Sequence, residues 1–157
     1  MANSEIANQL RVTKTFYSSI FTGMLVFLAV AIVIIQGNKA EGGNGLDKIF
    51  IVIVPLFGLL SMFIARMIYK RMTTNYSTET DLIRKIMRYR TTKIISWALV
   101  EAACLFALVA TVLTSNYLYL VVVIFLFGYY FMLKPSKESL IHDLHLSAEE
   151  SDIILRN

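Results

Sequence analysis

The sequence predicts an all-α polytopic membrane protein of four transmembrane helices, arranged as a duplicated helical hairpin, and three observations predict it. Of its 157 residues 57% are hydrophobic and only 17% charged, a balance too apolar for an ordinary soluble domain. The apolar residues gather into four runs, about 16–35, 49–69, 94–113 and 117–133, each within the roughly 17 to 25 residues that a helix uses to cross a bilayer. The basic residues crowd beside one end of these runs, as the positive-inside rule expects. The net charge of +4 is thereby accounted for by lipid, and no nucleic-acid partner is expected.

Residues 1–15 are polar and bring Arg11 and Lys14 up to the first span, so they read as a cytoplasmic lead-in. After residue 35 the stretch QGNKAEGGNGLDK breaks the pattern with glycines and reads as an exposed outer loop. The run is too long for a signal-peptide core and lacks a small-residue cleavage site, so it is expected to be retained. Pro55 in the second span removes one backbone donor and predicts a bend. Residues 70–93 form a basic cytoplasmic segment in which Thr78 and Asp81 have capping-box-like spacing ahead of DLIRKIMRYR. Leu82, Ile83, Ile86 and Met87 share one helical face and Arg84, Lys85 and Arg88 the other, so this run is expected at the inner headgroup layer with Arg90. Only the turn TSN separates the third and fourth spans, which must be antiparallel neighbours. Pro135 ends the last span, and the tail, residues 134–157, is too polar to cross. Its Ser147 and Glu150 have capping-box spacing before a short amphipathic helix.

Orientation follows from the lysines and arginines. The two outer connections hold only Lys39 and Lys48, whereas Arg66, Lys70, Arg71, Arg84, Lys85, Arg88, Arg90 and Lys93 lie on the central inner side. Both termini are therefore expected in the cytoplasm, in a bacterial inner membrane. The duplication rests on ungapped echoes. RVTKTFYSSIFTG and RTTKIISWALVEA open the first and third spans, the second and fourth share Leu56-Phe57-Gly58 and Leu126-Phe127-Gly128, and STETDLIRKI and SKESLIHDL follow each hairpin. Chance likeness among apolar helices is the competing reading. Where the first half has Thr22, the second has Glu101.

Glu101 is the one acidic side chain inside a span. It lies eight residues past Lys93, or about 12 Å along a helix, where exposure to lipid is costly. It is expected to face other helices, with Thr22, Ser61 and Arg66 as candidate partners, and to serve either as an assembly residue or as a proton or cation site. Snorkelling is the plainer role for Arg66. Ala98, Ala102, Ala103, Ala107 and Ala110 permit close helix approach, and Trp97, Tyr117, Tyr119, Tyr129 and Tyr130 read as interfacial anchors. His142 and His145 flank Asp143, but two ligands without a third and fourth make surface histidines the simpler reading than a metal site. The lone Cys104 forms no intrachain disulfide. No phosphate loop, nucleophile elbow, zinc-protease helix or dinucleotide fingerprint is present, so neither enzymatic activity nor a cofactor is expected.

The stretch LVEAACLFALVATVLTSN and the tail pattern P-S-x-E-x-x-I-x-D-L-x-L-S resemble small uncharacterised four-helix membrane proteins of Bacteroidota-type bacteria. The resemblance covers roughly the second half and implies a fold but no activity. A Glu followed by small and apolar residues also looks like the ion-binding helix of rotary ATPase proteolipids. The glycine-rich packing helix of those proteins is missing here and the acid lies in the first helix of its hairpin, so ion translocation does not carry over to Glu101.

The function expected from these residues is that of an accessory, assembly or scaffold subunit of a membrane complex, acting through a membrane-protein partner or a second copy of itself. The clustered Leu140, Ile141, Leu144, Ile153, Ile154 and Leu155 are expected to need a cover. The alternative is a proton- or ion-coupled transport module using Glu101.

Overall fold

A computed structural model describes residues 2–37, 45–74 and 81–156. Thr78, the STET echo and most of the glycine-rich outer loop lie outside them. The described residues form six helices: α1 (Ala2–Gly37), α2 (Leu46–Thr74), α3 (Leu82–Thr114), α4 (Leu118–Met132), α5 (Lys137–Asp143) and α6 (Ala148–Arg156). Three of these, α1, α2 and α3, are long and apolar enough to cross a membrane. The 15 residues of α4 span only about 22 Å, and it reaches crossing length only when joined to α5, which turns from it by 75°. Pro135 explains the stop, because the residue before a proline is driven out of the helical region.

The other spans pack around α3. It packs against α1, α2 and α4, while α2 also meets α4. Two adjacent stripes make this possible. Ser96, Val100, Ala103, Ala107 and Ala110 are buried along one, small enough that α2 approaches until Ser96 Oγ donates to the Ala65 carbonyl at 3.4 Å. The other stripe is Trp97, Cys104, Leu108 and Thr111. Here Tyr17 of α1 sets its ring edge-on to Trp97 at 5.3 Å and stacks on Tyr130 of α4 at 4.8 Å. Tyr130 Oη donates to the Tyr17 carbonyl at 2.8 Å, and Trp97 Nε1 to the Leu133 carbonyl at 3.2 Å, one of those left open where α4 ends.

This aromatic packing corrects the anchor reading. Trp97, Tyr119 and Tyr130 are buried and Tyr129 is half-buried; only Tyr117 of that set is exposed. The reason lies in their polar tips, which find partners inside the bundle: Tyr119 Oη donates to Asp47 Oδ1 at 2.6 Å, and Asn116 Nδ2 reaches the same oxygen at 2.9 Å. Large apolar side chains cover the outside of the spans instead, with Phe125 73% and Ile124 69% exposed, as a lipid-facing surface requires.

The sequence echoes are only partly matched in three dimensions. Thr13 and Thr92 of the two Arg-x-Thr-Lys sequences are both buried and donate to the carbonyls of Gln9 (2.8 Å) and Arg88 (2.9 Å). Met24 and Ala103, and Ala31 and Ala110, are buried at matching places. The hairpins differ, since α3 and α4 pack closely whereas α1 and α2 barely touch. The short turn after Thr114 forces one pair together, and the longer connection between α1 and α2 does not. Gly58 is likewise buried, with Val122 and Leu126 around it, while Gly128 has open space at the place of a Cβ.

A second core sits at the end holding both chain termini. Ile6 of α1, Ile86 and Tyr89 of α3, Leu140 and Leu144 of the α5 region and Ile154 of α6 are buried together. The DLIRKIMRYR run is the first part of α3, continuous with the third span as the absence of Gly or Pro between them allows, and is capped by Asp81, whose Oδ1 accepts from the Ile83 N–H at 3.1 Å. The lead-in over residues 2–15 is helical and continuous with the first span. The tail covers most of its own apolar residues, leaving Leu155 53% exposed. Its capping box forms as read: the Ser147 N–H donates to Glu150 Oε2 at 2.9 Å and the Glu150 N–H to Ser147 Oγ at 3.2 Å.

Candidate functional site

Glu101 stands one turn along α3 from Trp97, at the far edge of the second buried stripe, roughly 140° around the helix from Ser96. Its side chain is half-buried and leans toward α1, where Oε1 comes within 3.8 Å of the place a Cβ would occupy on Gly23. Cys104 and Tyr130 lie close enough to feel its charge. Among the described residues the carboxylate makes no hydrogen bond and no ion pair. Ala98 and Ala102 beside it are exposed, as is Thr22 on α1. The acid thus sits in a seam between α1 and α3 that opens toward the perimeter.

Its expected partners are elsewhere. Thr22 adjoins Gly23 but is exposed and does not bond to Glu101. Ser61 is buried one turn from Ala65, on the side of α2 that meets Ser96. Arg66 is exposed and near Tyr129 of α4. The sequence located the acid but not its neighbours, because those depend on how each helix is rotated about its axis.

The headgroup set also divides. Arg84 and Arg88 are exposed, Arg84 lying 3.7 Å from Asp81. Lys85 is drawn into an ion pair with Glu150 at 2.9 Å, and Arg90 donates to Gln9 Oε1 at 2.5 Å. These two fasten α3 to α6 and α1. Burial pushes the Glu150 carboxyl up, but the Ser147 N–H and Lys85 outweigh it and hold it below the usual glutamate range.

One cluster was missed. Lys93, counted only as an orienting charge, is 5% exposed. Its Nζ lies 4.4 Å from the Tyr69 ring centre and 5.3 Å from that of Tyr89. Asp143 of α5 accepts from the Tyr69 hydroxyl and from Ser139 Oγ at 2.9 Å, and Ser139 Oγ lies 3.2 Å from Tyr89 Oη. The signal in the sequence is Tyr89 four residues before Lys93, on the same helix face; the partners from α2 and α5 carry none. The cluster locks α5 onto α2 and α3. It engages one oxygen of Asp143, Oδ2, while the other, Oδ1, lies 3.5 Å from Nδ1 of His142, whose side chain is 86% exposed. Among the described residues no group of three or more His, Cys, Asp or Glu side chains is placed to hold a metal ion.

Comparison with known protein families, with curated proteins and with solved structures finds no match to this chain. The functional reading therefore rests on its own residues.

Proposed function

We propose that this is a small integral membrane protein with four spans and cytoplasmic termini, set in a bacterial inner membrane, that acts by protein-protein interaction as an accessory, assembly or scaffold subunit. The observation that carries the reading is the Glu101 carboxylate without a hydrogen bond or ion pair among the described residues. Even lenient insertion scales charge about 2.5 to 3.5 kcal/mol for an acidic side chain at mid-helix, and one hydrogen-bond donor from a neighbouring helix recovers part of that. Gly23, Ala98 and Ala102 around it are small enough for such a helix to come close. Cytoplasmic placement of the termini draws support from the lysines and arginines gathered at the end that holds both terminal segments.

The test is migration of native membranes, solubilised in mild detergent, on a blue-native gel. The chain should run in a larger species, retain it as Glu101→Gln, which keeps a hydrogen-bonding group, and lose it as Glu101→Leu. A wild-type chain that runs alone, joined neither to another protein nor to a second copy, overturns the proposal. The same carboxylate supports a second reading as a proton carrier, and the variants separate the two. Proton-coupled transport loses flux in Glu101→Gln with the assembly intact.

A further inference from the structure

At the end of the molecule that holds both termini, a cavity of about 440 Å³ opens between α1 and the corner where α4 gives way to α5, with Arg11, Lys14, Ser18, Tyr89, Ser136 and Lys137 in its wall. Among the described residues no carboxylate lines it, and the nearest in sequence, Glu138, follows Lys137 and feels its charge. Most cations nearby are already engaged: Lys85 by Glu150, Arg90 by Gln9, Arg156 by Asp152 and Lys93 over its tyrosines. Arg11 and Lys14 differ. Among the described residues neither side chain has an ion pair or a hydrogen bond, and Lys137 Nζ donates to the Leu155 carbonyl at 3.2 Å, leaving two of its three protons free.

The position of the cavity decides what kind of anion fits. Its wall climbs α1 from Ala7 to Ser18, past Tyr17, and meets the corner at Pro135 and Ser136 just after Leu133, so it reaches the level where the apolar exterior of the spans ends. Phe16 on α1 and Phe131 and Met132 on α4 are exposed beside its upper part, Met132 by 82%. A phosphate held by Arg11, Lys14 and Lys137 would stand with its attached acyl chains against those residues. A soluble phosphate would use the cations and leave the apolar shelf unused.

We infer that this cavity is a binding site for the headgroup of an anionic phospholipid. The guanidinium of Arg11 and the ammonium groups of Lys14 and Lys137 neutralise the phosphate, and the Ser18 hydroxyl can donate to one of its remaining oxygens, while Ser136 is engaged as the cap of α5 and by Glu138. The inference requires the chain to be membrane-embedded but is independent of Glu101 and of any protein partner.

The experiment measures thermal unfolding of the full chain in neutral detergent while phosphatidylglycerol, phosphatidylcholine or inorganic phosphate is added. A ligand that binds the folded state raises the transition in proportion to its occupancy. Phosphatidylglycerol should raise it, and phosphatidylcholine and inorganic phosphate should not. In Arg11→Gln/Lys14→Gln the apparent affinity for phosphatidylglycerol should fall roughly thirtyfold, about five- to sixfold per near-surface cation removed, while Arg84→Gln/Arg88→Gln should behave as wild type. Equal losses in the two double variants would mean diffuse surface charge and overturn the site. A shift with inorganic phosphate as large as with the lipid would make it a soluble-anion site and overturn it equally. If the first double variant does not fold in neutral detergent, Lys137→Gln and native mass spectrometry take its place. Wild type should retain a phosphatidylglycerol molecule that the variant loses, and equal retention overturns the inference.

Discussion

Replacing Ile154 with alanine should release α6 without disturbing the spans. Ile154 is fully buried in the small core at the end holding the termini, against residues of α1, α3 and α5. Truncating such a side chain costs about 2 to 5 kcal/mol. What else holds α6 is weaker. The Lys85–Glu150 pair, with side chains 13% and 20% exposed, and the Lys137 bond to the Leu155 carbonyl each contribute about 1 kcal/mol, in line with partly exposed pairs and single hydrogen bonds. An isolated helix of nine residues is not stable in water. Loss of Ile154 should therefore raise the opening equilibrium of α6 by roughly thirtyfold or more, the factor corresponding to ~2 kcal/mol. Hydrogen exchange followed by mass spectrometry in detergent reads this directly. Amides of residues 150–156 should exchange faster in Ile154→Ala, and those of residues 100–111, in the centre of α3, should not change. Unaltered exchange in α6, or faster exchange throughout α3, would refute the view that this core is a separate unit resting on one anchor.

The Glu150 carboxyl is held below its ordinary range in the folded chain, so its stabilising contribution is complete at neutral pH and is lost as pH falls through that lowered value. The protection of α6 amides, with the intrinsic slowing of amide exchange in acid divided out, should fall on acidification in wild type; the same acid-dependent fall in Glu150→Gln would exclude this carboxylate as the cause. Gly58→Ala should stabilise by about 0.5 to 1 kcal/mol, since glycine in a helix interior costs that much relative to alanine. The added Cβ meets Val122 Cγ1 no closer than 3.4 Å, and a lowered unfolding temperature would show that the approach of α4 tolerates no methyl. Tyr130→Phe keeps the stack on Tyr17 but removes a 2.8 Å bond, whereas Tyr17→Phe removes one of 3.4 Å. The first should cost about 1 kcal/mol and the second much less, and equal losses in denaturant unfolding would contradict the assigned donors.

Much of the helical frame could be read from the sequence because a bilayer makes the constraint local. A backbone without water must satisfy itself within its own segment, so the length of an apolar run already fixes the crossing helices α1, α2 and α3. What could not be read was decided by contacts between segments. The start of α1 at Ala2 goes with Ile6 packing on Ile86 and Ile154, whereas the continuation of the basic run into α3 was legible, since neither Gly nor Pro separates the two. Capping was legible where it is local, as at Ser147 and Glu150. The site was legible only in its acid. That Lys93 is buried over Tyr69 depends on α2 and α5 arriving from far along the chain.

The difference between α1 and α3, whose sequences echo each other, explains why one occupies the centre and the other the edge. Counting from the shared Arg-x-Thr-Lys, Ala103 and Ala107 of α3 correspond to Met24 and Leu28 of α1, and Thr111 to Ile32. The α3 residues are small where those of α1 are long, so α3 accepts neighbours on both stripes, while Leu28 is only half-buried and Ile32 faces outward. The same register places Glu101 opposite Thr22. On α1 that position is exposed, and an acid there would stand in hydrocarbon with neither dipole nor partner nearby. On α3 it falls at the edge of a stripe already lined by Trp97, Cys104 and the Tyr17–Tyr130 pair, with Gly23 giving it room. A carboxylate is tolerable on α3 because that helix is the better covered of the two, and its exposed side is left to face whatever packs into the seam.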